Sequence, residues 1–237
     1  MINIEKLQTI IDESNYIVFF GGAGVSTSSG IPDFRSKDGL YNQKFKLSPE
    51  IMLSSAYFYA NTEEFYKFYK DKFNLLKYEP NIVHNYLYKL EQKGKLKAII
   101  TQNIDGLHTK AGSKNVYEIH GTVYKNHCIR CHKEYSPEEV FSSKGVPMCK
   151  CGGIIKPDVV LYGESLPESF NEGLYQIEKA DTLIVAGTSL NVYPAASMID
   201  YFRGKHLIII NKSPTPYDYK ADLVIQEDMK KVFEKLK

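Results

Sequence analysis

Residues 16–25 read Tyr16-Ile17-Val18-Phe19-Phe20-Gly21-Gly22-Ala23-Gly24-Val25, and this stretch decides the fold class. Its apolar residues run together without alternation and stop at glycine. A segment with no polar face must be covered on both sides, as a strand inside a two-sided sheet is. The glycines predict a tight turn at its carboxyl end. Just upstream, Ile4, Leu7, Ile10 and Ile11 fall at helical spacing, so a helix precedes the strand.

The same design recurs along the chain. Leu96 to Ile100 runs into Thr101-Gln102-Asn103, Thr182 to Ala186 into Gly187-Thr188-Ser189, and His206 to Ile210 into Asn211-Lys212-Ser213. Leu223 to Ile225 reads as a last strand. Helical stretches such as Ser169 to Lys179 and Ala195 to Phe202 separate these runs. Strands alternating with helices predict an α/β fold: a Rossmann-like parallel sheet with helices on both faces. Residues 36–80 read as a helical insertion, with a helix starting near Thr62. Residues 122–157 break the rhythm and read as a small separate lobe. The expected organisation is a single catalytic domain over 1–237, with its core in 1–35, 81–121 and 158–237.

All four cysteines lie in that lobe. Cys128 and Cys131 are separated by two residues, Cys149 and Cys151 by one. Clustered thiols suit tetrahedral zinc more than a disulfide framework. A four-thiolate site leaves no open position, so such a zinc is structural. Free or redox-active thiols are the other reading, and His127 and His132 stand close enough to compete as ligands.

The chain has 237 residues, 43% of them hydrophobic and 24% charged, with a formal net charge of +2. That balance offers no electrostatic case for a nucleic acid or an anionic membrane as partner. The N-terminus, MINIEKLQTI, lacks the pattern of a secretory signal. No apolar run approaches the roughly 18 residues of a membrane span. A cytoplasmic protein is expected.

In open parallel sheets, ligands bind outside the carboxyl ends of the strands. Four runs end there in small or polar residues, which predicts one rim for a large polar ligand. Gly22 and Gly24 would let the backbone approach phosphates at the start of the next helix. A plain structural turn is the alternative. The third glycine of the usual dinucleotide fingerprint is replaced by Thr27, so any nucleotide must be held differently. His120 is the candidate acid–base group, because an ordinary histidine titrates near neutrality. A structural histidine is its alternative, as solvated acids or helix caps are for Asp33 and Asp105.

The segment 22–36, GAGVSTSSGIPDFRS, resembles the cofactor loop of the sirtuins. So do TQNIDGLH at 101–108, His120-Gly121, PDVVLYGE at 157–164 and GTSLNVYPA at 187–195, in that family's order. The resemblance implies an NAD-dependent deacylase that removes acyl groups, acetyl foremost, from protein or peptide lysines. It would be both a transferase and a hydrolase, with NAD as co-substrate and one structural zinc on Cys128, Cys131, Cys149 and Cys151. It places Ala23, Thr27 and Arg35 at the pyrophosphate and Phe34 over the ribose–nicotinamide bond. Ile104 and Asp105 take the nicotinamide carboxamide, and Gln102 and Asn103 the ribose. Thr188, Ser189, Asn211 and the backbone near Met229 take the adenosine half. His120 would draw a proton from a ribose hydroxyl after nicotinamide leaves, giving free lysine and O-acyl-ADP-ribose. Asn103 and Asp105 join it as catalytic residues. A substrate strand would lie between Gly163-Glu164 and Leu190-Asn191-Val192, with Val160 and Phe34 walling the acyl-lysine tunnel.

Two departures are visible. Tyr162 replaces the family's usual Phe, and the second cysteine pair has one spacer residue where two are usual. Succinyl- and malonyl-preferring members carry a Tyr and an Arg three apart. This chain has Tyr66 and Tyr69 there, so a neutral acyl group is expected. An NAD-dependent protein ADP-ribosyltransferase is the alternative activity.

Overall fold

The structure, a computed structural model, describes residues 3–33, 39 and 47–237. The main sheet has six parallel strands. In spatial order they are β3 (Val116–Glu118), β2 (Leu96–Thr101), β1 (Ile17–Gly21), β7 (Thr182–Ala186), β8 (His206–Ile210) and β9 (Leu223–Ile225). The apolar runs are buried on both faces, and their residues divide by parity. Ile17, Phe19, Ile99, Ile184 and Ile208 enter one core; Val18, Phe20, Ile100, Leu183 and Ile209 enter the other. Side chains alternate across a strand, so two covered faces require an unbroken apolar run.

Helices α1 (Ile4–Glu13), α5 (Ile82–Gln92) and α9 (Met229–Phe233) fill the first core; α8 (Ser169–Lys179) and a 3-10 helix (Ala195–Tyr201) fill the second. In α1 the buried residues are Leu7, Ile10 and Ile11. Asn3 caps that helix by accepting from the Lys6 N–H at 3.2 Å. No helix among the described residues is long and apolar enough to cross a membrane.

The insertion contributes α2 (Pro49–Met52), α3 (Ser55–Ala60) and α4 (Thr62–Phe73). From α4, Phe65, Tyr66, Tyr69 and Phe73 turn inward and share a third core with the cysteine lobe. That lobe is less irregular than its sequence suggests. Strands β4 (Gly121–Cys128), β5 (Glu134–Tyr135) and β6 (Ile155–Val159) form an antiparallel sheet in the order β5-β4-β6, and α7 (Pro137–Ser142) packs on it. Strand β4 buries its residues without strict alternation and β5 has two residues only, so neither shows a period to read. Likewise Val116–Glu118, three residues with no pattern of their own, is a strand of the main sheet. The segment after Gly22 is a 3-10 helix (Ala23–Ser29), tighter than the helix expected there.

Gly121 joins the main sheet to the small one at φ +75°, and a Cβ there would lie 1.8 Å from the Asp158 carbonyl oxygen. Neither conflict can be relieved by a rotamer. Gly121→Ala is therefore expected to destabilise the protein by about 3 kcal/mol or more. Urea unfolding would measure it, and a loss under about 1 kcal/mol would mean β4 and β6 can separate freely there.

Candidate active site

In the order β3-β2-β1-β7-β8-β9, successive strands are added toward one edge from β1 to β3 and toward the other from β7 to β9, so the strand order reverses between β1 and β7. At such a switch point, loops leave in opposite directions and open a crevice. The two strand ends touch: Gly22 N donates to Ala186 O at 3.2 Å and Gly24 N to Gly187 O at 2.9 Å. A Cβ on Gly24 would stand 2.8 Å from the Gly187 Cα, and one on Gly22 would stand 2.7 Å from the Thr188 Cβ. These glycines thus admit the neighbouring strand end, a requirement that exists before any phosphate arrives.

A continuous cleft of about 1180 Å³ opens there. That lies just above the roughly 300–1,000 Å³ of an ordinary small-molecule pocket. Its lining includes Ala23, Thr27, Gln102, Asn103, Ile104, Asp105, His120, Val160, Gly163, Glu164, Thr188, Ser189, Val192, Asn211 and Met229. Leu190 is instead buried in the second core, its N–H donating to Thr188 Oγ1 at 3.2 Å, and Asn191 is exposed outside the lining. Phe34 and Arg35 lie outside the described residues.

The cleft floor is one hydrogen-bond network. Ser26 Oγ donates to Asp105 Oδ2 at 2.6 Å, and the Leu107 N–H donates to Asp105 Oδ1 at 3.0 Å. The Asn103 amide nitrogen donates to Gly22 O and to Ser26 Oγ, each at 3.1 Å. This leaves Asn103 Oδ1 as the atom to offer a ligand, an acceptor suited to sugar hydroxyls. Burial pushes the Asp105 carboxyl above the usual carboxylate range, while the Ser26 and Leu107 contacts pull it back. Gln102 Nε2 reaches Thr188 Oγ1 at 3.1 Å and ties the β2 and β7 ends together across β1.

His120 Nδ1 lies 3.1 Å from the Gln102 carbonyl oxygen. A carbonyl only accepts, so Nδ1 carries the proton and Nε2 keeps its lone pair. Burial lowers the His120 pKa, opposed by the Gln102 carbonyl. The imidazole is therefore neutral at pH 7 and equipped as a base. Its own carbonyl accepts from Val160 N at 2.9 Å, which sets the base beside the 160–164 loop. Glu118, two residues earlier, has its carboxyl pushed by burial up to about 7, with Thr122 opposing.

Ser26 and Asn81 carry weight that the sequence reading missed. Asn81 caps α5 and also donates to Val25 O at 2.8 Å and Ser29 Oγ at 2.9 Å, holding the 3-10 helix in place. Beneath lie His84 and His108, with ring centroids 4.6 Å apart. Burial lowers His84 to about 4 and takes His108 well below the ordinary value, so both are neutral. Asn81 sits in Pro80-Asn81, before a helical run, which is a capping signal; its reach to residue 25 has no local signature.

The four cysteine sulfurs lie within 4.8 Å of one another and form no disulfide. Cys128 and Cys151 approach to 3.5 Å, and Cys131 and Cys149 to 3.6 Å. Backbone N–H groups of Arg130 and Cys151 point at the sulfurs of Cys128 and Cys149 at 3.4 Å. The Cys151 amide leads in lowering Cys149 to about 6. The Gly153 amide favours the Cys151 thiolate, yet the crowding thiols still push it up to about 12. Four thiolates so close need a cation among them, and the set fits structural zinc. His127 turns away to Asp158 Oδ1, and among the described residues the metal-type cluster holds the cysteines alone.

Comparison with known proteins agrees with this geometry. A Clostridium perfringens protein named NAD-dependent protein deacetylase is 57% identical, covering 98% of each chain. A solved structure of Sir2 with a p53 peptide and NAD+ superposes with a TM-score of 0.87 at 40% identity, covering 98% of this chain and 96% of that one. Another, of Sir2 with a deacetylated p53 peptide and 3'-O-acetyl ADP-ribose, gives 0.90 at 39% identity over the same shares. The Sir2 family profile matches residues 22–194. With the sheet order, the crevice at its switch point and the cysteine lobe all in place, the chain belongs to the Sir2 family.

Proposed function

We propose that the chain is an NAD-dependent protein-lysine deacetylase that transfers the acyl group, acetyl foremost, to ADP-ribose. The observation that carries this reading is the single cleft in which a neutral imidazole stands between a dinucleotide-sized rim and the 160–164 loop. The near-full-length match to deacetylase relatives supports it for the chain as a whole.

NAD, when bound, supplies a ribose carbon whose bond to nicotinamide can break. The chain positions and protects. Ala23, Thr27, Gln102, Thr188, Ser189, Asn211 and Met229 hold the dinucleotide, with Phe34 and Arg35 assigned by resemblance. Asn103 Oδ1 accepts from ribose hydroxyls, and Ile104 and Asp105 take the carboxamide. His120 Nε2 takes the proton of a ribose hydroxyl. The acyl-lysine enters beside Val160, its backbone paired between Gly163-Glu164 and Leu190-Asn191-Val192 by strand addition. Because the Glu164 carboxylate accepts from its own loop and its N–H donates to Leu161 O, that residue offers the peptide its main-chain carbonyl. Zinc holds the lobe at 122–157 and takes no part in the chemistry. Residues 1–35, 81–121 and 158–237 form the NAD-binding core, and 36–80 the helical insertion.

The surroundings of α4 favour a neutral acyl group. Lys67 pairs with Glu63 and Glu64, and Lys70 Nζ donates to Ser143 and Gly145 at 2.7 Å. Both lysines already have partners, Lys67 at the exposed surface, and Tyr66 and Tyr69 are packed in the aromatic core. A cysteine cluster of metal-ligand type, where a secreted chain would more often carry disulfides, supports a cytoplasmic setting.

Incubation with NAD and acetyl-lysine peptide is expected to release nicotinamide and free lysine in equal amounts, with little turnover of a succinyl-lysine peptide. Label passing from NAD onto protein without loss of an acyl group would instead make the chain an ADP-ribosyltransferase.

A further inference from the structure

The loop between β6 and α8 is closed by a buried lysine. Lys156, on β6, is 8% exposed. Its Nζ donates to Pro157 O at 3.2 Å, Val159 O at 3.3 Å and Glu164 Oε2 at 3.1 Å, which uses all three ammonium hydrogens. The same Glu164 oxygen accepts from Leu161 N at 2.9 Å, and Glu164 N donates back to Leu161 O at 2.9 Å.

The rest of the loop hangs from other elements. Val160 N is bound to His120 O, Tyr162 N to Leu53 O, and Ser55 N to Tyr162 O, at 2.9–3.0 Å. Those contacts hold the near side of the loop against the base and the helical insertion. The far side, at Gly163 (φ +91°) and Glu164, is gathered in by the lysine. An exposed ion pair would fix little. This pair is more sheltered on one side: the Lys156 side chain is 10% exposed and that of Glu164 23%, so removing Glu164 leaves the lysine's charge largely cut off from water.

Lys156 also marks where two parts of the molecule meet. It stands opposite His127 on β4, directly before Cys128, and follows Ile155, whose N–H is bound to Pro147 O beside the second cysteine pair. The cysteine lobe therefore ends, mechanically, on the Glu164 carboxylate.

We propose that Lys156 is a positioning residue for the peptide substrate: through Glu164 it holds the backbone of 161–164 in the form that an incoming acyl-peptide strand pairs with, and it transmits the order of the zinc lobe to that strand. The inference rests on the reading that the peptide docks beside Gly163 and Glu164.

Steady-state kinetics on the full chain with acetyl-lysine peptide and NAD test it, using Lys156→Met, Lys156→Arg, Glu164→Ala and the Lys156→Met/Glu164→Ala double variant. Lys156→Met is expected to raise the peptide KM at least about tenfold, with the NAD KM and kcat within about threefold of wild type. Lys156→Arg should recover most of the loss, since a cation returns. The double variant, with no stranded charge, should be no worse than either single one. An equal rise in both KM values, a loss confined to kcat, or an Arg variant no better than Met would overturn the proposal. If Lys156→Met does not fold, Glu164→Ala decides: a folded variant with an unchanged peptide KM sinks the idea. A wild-type chain that turns over NAD but ignores the peptide would instead sink the deacetylase reading itself.

Discussion

Replacing His120 with alanine is expected to cut release of free lysine by about 10²–10⁴-fold, the usual worth of a positioned general base. The geometry behind this number is specific. The Gln102 carbonyl fixes the proton on Nδ1, and the neighbouring Gly121 and Val160 fix where the ring stands. NAD affinity should stay within about threefold, because His120, itself one of the expected NAD contacts, is one residue among many that line the dinucleotide's part of the cleft. Burial lowers the His120 pKa from its ordinary 6.5, so the working, neutral form persists below that value. The acid limb of kcat/KM against pH should then fall below 6.5. Glu118, with its carboxyl raised to about 7, could add a limb of its own, and Glu118→Gln would remove that limb and leave the one due to His120. A folded His120→Ala variant that keeps more than about a tenth of the activity would end the general-base assignment.

Loss of zinc should be as damaging by a different route. Metal binding in four-thiolate sites contributes on the order of 10 kcal/mol, while a whole domain is stable by only about 5–15 kcal/mol. Cys128 and Cys149 sit in the same core as Val123, Val140, Ile155 and Leu161, and that core continues into Phe58, Phe65 and Tyr69 of the insertion. Chelation, or Cys149→Ser, is therefore expected to melt the small sheet and loosen α4. Strand β4 begins one residue after His120, and β6 ends one residue before Val160. Activity should consequently fall to background although no cysteine lines the cleft. Hydrogen exchange would show protection lost across 121–159 and kept in β1, β7 and β8. A chain shown by elemental analysis to be metal-free, yet protected and active, would contradict this account.

Much of the fold was legible because its signals are local. Thr182–Ala186, His206–Ile210, Leu223–Ile225 and Ser169–Lys179 have the bounds their patterns predict. A central strand must be apolar throughout and a helix must show its period, whatever surrounds them. Strands β3 and β5 escaped notice because two or three residues are too short to show a period, and β4, eight residues long, did so because its buried residues do not alternate. Likewise, the rim residues could be placed because each follows the carboxyl end of a recognisable strand.

By itself, the order of residues determined the α/β class, the rim of strand ends, the base candidate and the cysteine cluster, since each rests on neighbours in sequence. Only the tertiary structure decided how distant segments answer one another. Ser26 meets Asp105 across 79 positions, and Asn81 reaches back to Val25 across 56. Gly24 is required by the backbone of Gly187, and Leu190 turns into the core. Lys156 reads as a surface charge until the fold buries it against Glu164. The physical reason is that burial and hydrogen-bond partnership belong to positions in space, and a side chain carries no local mark of the partner the fold will bring to it.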